Sequence, residues 1–147
     1  NGYNTVLIPG GNPPRTTLGW TSPQLFAILK SYGIIDNRYL SSLKKLPDFL
    51  DQHHFEIQTK AQLLAYNLHT NTPVIYADSR NEGVALRMRQ QLNENAKTLC
   101  WHNLFPEMNH NELVGMKSAN DKLAIVVLRT DFDPERTQIR MDLSEKI

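Results

Sequence analysis

The chain has 147 residues, 40% hydrophobic and 21% charged, with a formal net charge of +1. That balance suits one soluble globular domain with a hydrophobic core and excludes a disordered or fibrous chain. Nucleic acid has no evident footing, since 16 basic side chains stand against 15 acidic ones and the basic residues gather only in short groups such as Lys44-Lys45 and Arg87 with Arg89.

The chain opens at Asn1 without a methionine and enters an apolar run, Thr5 to Ile8, at once. This run and three others, Val74 to Ala77, Thr98 to Trp101 and Leu123 to Leu128, lack polar alternation, the pattern of strands buried on both faces of a parallel sheet. Pro9-Gly10-Gly11-Asn12-Pro13-Pro14-Arg15 then reads as a sharp strand-to-helix turn, in which Gly10 and Gly11 let the backbone approach a ligand and Arg15 points into the crevice. It has neither the spacing of a dinucleotide fingerprint nor the Gly-Lys-Ser/Thr of a P-loop. A plain structural turn accounts for the same residues.

A short helical turn from Pro14 is expected to lead to a helix near 23–32, with Ser22 as N-cap, Pro23 at its first position and Gly33 at its end. Residues 37–71 read as two packing helices, the first interrupted at Pro47 and the second marked by Phe55, Ala61, Leu64, Ala65 and Leu68. Trp20, Tyr32 and Phe49 are read as core or interface packing. From Glu82 to Asn95, Val84, Ala85, Met88 and Leu92 form one apolar stripe that leaves Arg87, Arg89, Gln90 and Gln91 off it, and Glu94 ends this helix. Glu135 to Ile147 reads as a helix still in progress, so the chain is expected to be a piece of a larger assembly whose other elements lie elsewhere.

Strands alternating with helices predict one α/β domain over residues 1–147, with a doubly wound, mainly parallel sheet flanked by helices. In such a fold a ligand sits beyond the carboxyl ends of the strands. Gly10 to Arg15 and Asn103 to His110 follow strands, as that rule wants, whereas Glu94 precedes one.

Glu94 and His110 are the acid/base candidates. A glutamate in the last turn of a helix faces the negative end of the helix dipole, which disfavours its charged form and suits a general base. Asn109 reads as an N-cap with Glu112 three residues on, a capping-box arrangement that puts His110 in the first helical turn. A helix start favours the neutral imidazole that exchanges protons near neutral pH. A solvated surface glutamate and a solvent-facing histidine account for the same residues. His53, His54, His69 and His102 form no i, i+4 pair or Cys-His cluster, so no metal is expected. Cys100 is the only cysteine; with Leu99 and Trp101 beside it, it reads as a buried strand residue in a reducing compartment, with the cytoplasm as the simplest location. The longest strongly apolar run, Leu123 to Leu128, is far shorter than the roughly 20 residues that cross a bilayer, so no membrane span is expected.

Pro13-Pro14-Arg15, Gln91-Leu92-Asn93-Glu94-Asn95-Ala96-Lys97 and Pro106-Glu107-Met108-Asn109-His110-Asn111-Glu112, in this order and spacing, resemble the bacterial and archaeal bifunctional phosphoglucose/phosphomannose isomerases. The resemblance runs through most of the chain, including Thr72 to Tyr76 and Arg129 to Arg140, and is to the second sugar-isomerase (SIS) domain of such a protein. It implies an isomerase of hexose 6-phosphates that works without metal or cofactor through a cis-enediol. By motif, Glu94 would shuttle the proton between C1 and C2, His110 would assist ring opening, and Arg15, beside Gly11 in the substrate-binding loop, would stabilise the enediolate oxygens. The family's histidine comes from the neighbouring subunit, which implies a homodimer. The family's phosphate-binding loops and its C-terminal lysine and threonine have no counterpart here, so this chain alone is expected to be weak or inactive. The rival readings are a SIS module that binds a sugar phosphate and reports it to a partner without catalysis, and a degenerate domain that keeps only a dimer interface.

Overall fold

The structure, a computed structural model, describes residues 2–118 and 122–147. It forms two compact units, Asn1–Thr59 and Lys60–Ile147. No helix among the described residues is long and apolar enough to cross a membrane.

The first unit is helical. A 3₁₀ turn, Pro14–Thr16, runs into α1, Leu18–Ser31. The helix therefore starts five residues before the expected Pro23. Thr17 sets that start, because its hydroxyl donates to the Pro14 carbonyl at 2.7 Å while its own carbonyl accepts from Thr21 N–H at 2.9 Å. Pro23 sits inside the helix and removes one ladder bond without ending it. The predicted stop holds: Gly33 adopts φ 70° and its N–H reaches the Lys30 carbonyl, while Ile34 N–H reaches that of Leu29, the paired bonds of a Schellman ending. Helix α2, Arg38–Gln52, likewise carries Pro47 in its interior, so the expected interruption does not occur. Phe26 stacks on Tyr39 at 5.4 Å between ring centres, tying α1 to α2. Thr5 to Ile8 forms no strand, and Leu7 is 90% exposed. An apolar run becomes a strand only where a neighbouring ladder accepts its backbone groups. Trp20, Tyr32 and Phe49 are each at least half exposed within this chain.

Helix α3, His54–Leu68, leads into the second unit, which is built on a three-stranded, all-parallel sheet. Its strands are β1, Thr72–Asp78, β2, Trp101–Phe105, and β3, Leu123–Leu128, in the order β2-β1-β3. The central strand is buried from Pro73 to Asp78. On one face Val74, Tyr76 and Phe105 pack with Met108 of α5, Glu107–Gly115, and Met141 of α6, Glu135–Ser144. On the other, Ile75, Ala77 and Cys100 pack with Ala85, Met88 and Leu92 at and just beyond α4, Glu82–Gln91. Helices on both faces of a parallel sheet make the unit doubly wound, as the alternation of elements predicts. The third apolar run is misplaced by a few residues: β2 begins at Trp101 rather than Thr98, because Asn93 Oδ1 already accepts the Cys100 N–H at 2.9 Å.

At the carboxyl end of β1 and in the loop after β3 lie two buried carboxylates. Asp78 accepts from Arg80 N–H at 3.1 Å, from the Arg80 guanidinium at 3.0 Å and from the Thr137 hydroxyl at 3.0 Å. Burial alone raises the Asp78 pKa, but these donors outweigh it and hold the carboxyl below its usual range. Asp133 accepts from Thr130 N–H at 2.8 Å, the Thr130 hydroxyl at 2.9 Å and Asn81 Nδ2 at 3.0 Å, which ties the loop after β3 to the turn after β1.

Replacing Asp78 with Asn should destabilise the second unit by about 1–3 kcal/mol at pH 7, the cost of disrupting a buried, multiply bonded group. The folded pKa lies below the unfolded value near 3.9, so this contribution is present above the unfolded pKa and is lost as pH falls through the folded one. Urea denaturation of both proteins should therefore show the gap closing below about pH 4.

Candidate active site

Gly11 and Arg15 belong to the first unit, Glu94 and His110 to the second. Gly11 adopts φ 86°, a left-handed conformation that a side chain would strain. Arg15 stands in the middle of the 3₁₀ turn, whose backbone is fixed by Thr16 N–H and hydroxyl bonds to the Pro13 carbonyl at 2.9 and 2.8 Å. Its side chain is exposed.

Glu94 lies at the middle of a π-helical turn, Leu92–Ala96, that continues α4 without a break. The predicted helix to Asn95 thus changes hydrogen-bond pattern at its last turn, and such single π turns recur at functional sites. Two bonds close it on one carbonyl: Leu92 O accepts from Lys97 N–H and, at 3.2 Å, from Thr98 N–H. Lys97 ends the turn in the left-handed conformation, φ 56°, and its ammonium returns to the Glu94 carbonyl at 2.6 Å. Asn95 donates to the Gln91 side-chain carbonyl on the outer face. Glu94 lines an open pocket of about 460 Å³ with Arg87, Arg89, Gln90, Gln91 and Asn93. Two guanidiniums, the Gln90 and Gln91 amides and one carboxylate are chemically suited to an anionic, hydroxyl-rich ligand, with the carboxylate as the only proton acceptor among these side chains.

Asn93 reaches inward from the same turn. Its Oδ1 accepts from the Cys100 backbone N–H at 2.9 Å and from the Cys100 thiol at 3.4 Å. Burial pushes the Cys100 thiol pKa up, with the Arg89 charge partly offsetting it.

His110 is the fourth residue of α5, which begins at Glu107 after Pro106, so Asn109 is not its N-cap. Glu112 is not part of a capping box either. Its carboxylate accepts from the Tyr76 hydroxyl at 2.7 Å and from Asn103 Nδ2 at 2.6 Å, two side chains of the sheet face on which α5 packs. Asn109 Nδ2 donates to Ser144 Oγ of α6 at 2.8 Å. With Met108, Asn109 and Glu112 engaged inward, His110 is exposed. Burial, then the Glu112 carboxylate, drives the Tyr76 pKa far upward and keeps this phenol protonated.

Within one chain the two acid/base candidates do not meet. Glu94 lies at the amino end of β2 on the α4 face, and His110 lies just past its carboxyl end on the α5 face. The strand between them is roughly 13 Å long at about 3.3 Å per residue, and the sheet itself intervenes. Sequence reasoning missed Asp78, Asp133 and the Tyr76-Asn103-Glu112 group, and took Asn93 only as a residue of the Glu94 motif. Only the strand-ending Asp78 and the Thr130-x-x-Asp133 turn carry a sequence signal, that of short side chains which bond nearby backbone.

A family model described as "Bacterial phospho-glucose isomerase C-terminal SIS domain" matches residues 57–147. Over the whole chain, the bifunctional phosphoglucose/phosphomannose isomerase of Caldicellulosiruptor bescii is 32% identical, and the chain covers 46% of that relative. The enzyme of the same name from Thermoplasma volcanium is 31% identical over 99% of the chain and is also covered to 46%. The chain thus spans less than half the length of these curated relatives. Among solved structures, a Clostridium difficile 630 protein assigned as a phosphosugar isomerase superimposes with TM-score 0.54 at 20% identity, over 81% of this chain and 34% of that one.

Glu112→Ala would strand the Tyr76 hydroxyl and the Asn103 amide at a half-buried site, and should cost about 1–3 kcal/mol in urea denaturation. A glutamate that only faces solvent on the helix surface would cost no more than about 0.5 kcal/mol, so a loss below that would contradict this arrangement.

Proposed function

We propose, for a chain that belongs to the bacterial phospho-glucose isomerase C-terminal SIS domain family, that the protein carrying it interconverts glucose 6-phosphate and mannose 6-phosphate with fructose 6-phosphate. The observation that carries this reading is Glu94, held at a π turn in a pocket it shares with Arg87 and Arg89. In the open-chain aldose the Glu94 carboxylate takes the proton from C2 while the carbonyl oxygen on C1 takes one up from solvent, giving a cis-enediol. The same group returns the proton to C1 while the C2 hydroxyl gives its proton back to solvent, which leaves the carbonyl on C2 and yields the ketose. One carboxylate performs both transfers, so the chemistry needs no metal or redox partner. His110 assists ring opening, and Arg15, beside Gly11, stabilises the enediolate oxygens.

The opposed placement of Glu94 and His110 supports a homodimer in which each site takes Glu94 from one chain and His110 from the other. A two-fold axis makes two such sites at once.

The full-length protein should convert fructose 6-phosphate to glucose 6-phosphate and mannose 6-phosphate in the presence of chelator. Glu94→Gln should lower kcat by about 10²–10⁴-fold, the usual worth of a positioned acid/base group. Sugar-phosphate binding without turnover in the unaltered protein would replace this reading with that of a regulatory module. Glu94→Gln and His110→Ala proteins, each nearly inactive, should regain activity when unfolded and refolded together. Random pairing of two-fold dimers gives one intact site in half of them, so about a quarter of wild-type activity is expected. No recovery on mixing would exclude a site shared between subunits.

A further inference from the structure

We propose that Asn93 is a positioning residue for Glu94: its side-chain amide fastens the π turn to the backbone entering β2 and so fixes where the neighbouring carboxylate stands. The inference rests on Glu94 being the base.

The π turn is held at several places. At its base Leu92 O accepts Lys97 N–H and Thr98 N–H, and on its outer side the Lys97 ammonium meets the Glu94 carbonyl. Both anchors lie within residues 92–98 and move with the turn. Asn93 bonds instead to the sheet core, through Cys100. Cys100 is 3% exposed and packs with Ile75, Ala77 and Ala85, so the anchor point belongs to the buried core of the unit. Cys100 precedes the first residue of β2 and has no ladder partner among the described residues, and Asn93 Oδ1 takes its N–H at 2.9 Å. Asn93 Nδ2 also lies 3.5 Å from the Cys100 carbonyl oxygen, at the outer limit of a hydrogen bond.

The consequence for chemistry follows from adjacency. Residues 93 and 94 share a peptide unit, so a turn that slips at Asn93 moves the Glu94 backbone by a similar amount. A proton transfer at carbon tolerates little of this, since a displacement of about 1 Å can cost on the order of 10²-fold in rate. Substrate binding by other groups need not change.

Steady-state kinetics of the full-length protein with fructose 6-phosphate test the proposal, using Asn93→Ala, Asn93→Asp, Glu94→Gln and the double variant Asn93→Ala/Glu94→Gln. Asn93→Ala should lower kcat by about 10–100-fold with KM within about twofold. Asn93→Asp keeps an acceptor for the Cys100 N–H and should recover most of that loss. In the Glu94→Gln background Asn93→Ala should lower the residual rate no further, because groups that act as a unit are not additive. An unchanged kcat in Asn93→Ala, or an equal fall in both backgrounds, would overturn the proposal. Should Asn93→Ala not fold, Asn93→Gln carries the test: its longer side chain displaces the amide and should lower kcat at least about tenfold relative to Asn93→Asp. Equal kcat values for those two variants would sink the idea. A Glu94→Gln protein with wild-type turnover would instead remove the base itself, an outcome distinct from failure of the Asn93 clamp.

Discussion

Strand β1 lies between two parallel neighbours, so its ladder is paired on both edges and its side chains are buried on both faces. Each face needs its own helical cover, because a polar layer against Val74 and Tyr76, or against Ile75 and Ala77, would lose the burial energy of large apolar side chains, roughly 1.5–3 kcal/mol each. Helix α4 covers one face and α5 with α6 the other. The same strand carries Asp78 out of its carboxyl end, where Arg80 and Thr137 saturate the carboxylate and tie the α4 and α6 connections to the sheet. The two helices that bear Glu94 and His110 owe their positions to this one strand.

A parallel sheet also dictates where α4 must end. After leaving the carboxyl end of β1 the chain has to return to the amino end before entering β2, so the last turn of α4 is delivered to the edge away from the usual ligand crevice. A plain α-helical ending there would fray into solvent. The π turn, closed twice on Leu92 O and pinned by Asn93 to Cys100, gives that end a defined shape. As a candidate site residue, Glu94 therefore departs from the rule that ligand-binding residues follow strands for a structural reason: its support is the entry of β2, not the exit of β1.

Much of this was legible in the sequence where apolar runs coincide with fully paired strands. Val74 to Ala77 and Leu123 to Leu128 fall inside β1 and β3, and Gly33 ends α1 through its left-handed backbone. Strand β2 is displaced because it carries His102 and Asn103, polar residues that break the apolar pattern; Asn103 is accommodated because Glu112 receives its amide N–H and its Oδ1 accepts the Leu104 N–H. That same partnership removed Glu112 from the capping box: a carboxylate three residues after Asn109 can serve the helix end or the sheet, and the donors on Tyr76 and Asn103 are the better ones. The run Thr5 to Ile8 has strand composition but finds no ladder among the described residues. Local pattern cannot express which partners a segment will find. For the same reason Glu94 and His110 could be picked out as residue types, while their opposed placement could not.

That placement constrains how a catalytic site can be assembled from them. Bringing Glu94 and His110 of one chain together would require either the π turn or α5 to cross the sheet, and both are anchored to the buried residues Cys100 and Met108. Undoing either anchor exposes several large apolar side chains, a loss comparable to the whole stability of a small domain, about 5–15 kcal/mol. Loop motion is too small a change to achieve it. In the proposed homodimer a second copy related by a two-fold axis would require no such rearrangement, because it would present its α5 surface to the first chain's π turn and receive the reciprocal contact in return. In the proposed enzyme the rigidity of the sheet is thus what couples folding to assembly: the more firmly each half-site is held by its own core, the more completely catalysis depends on the partner that supplies the other half.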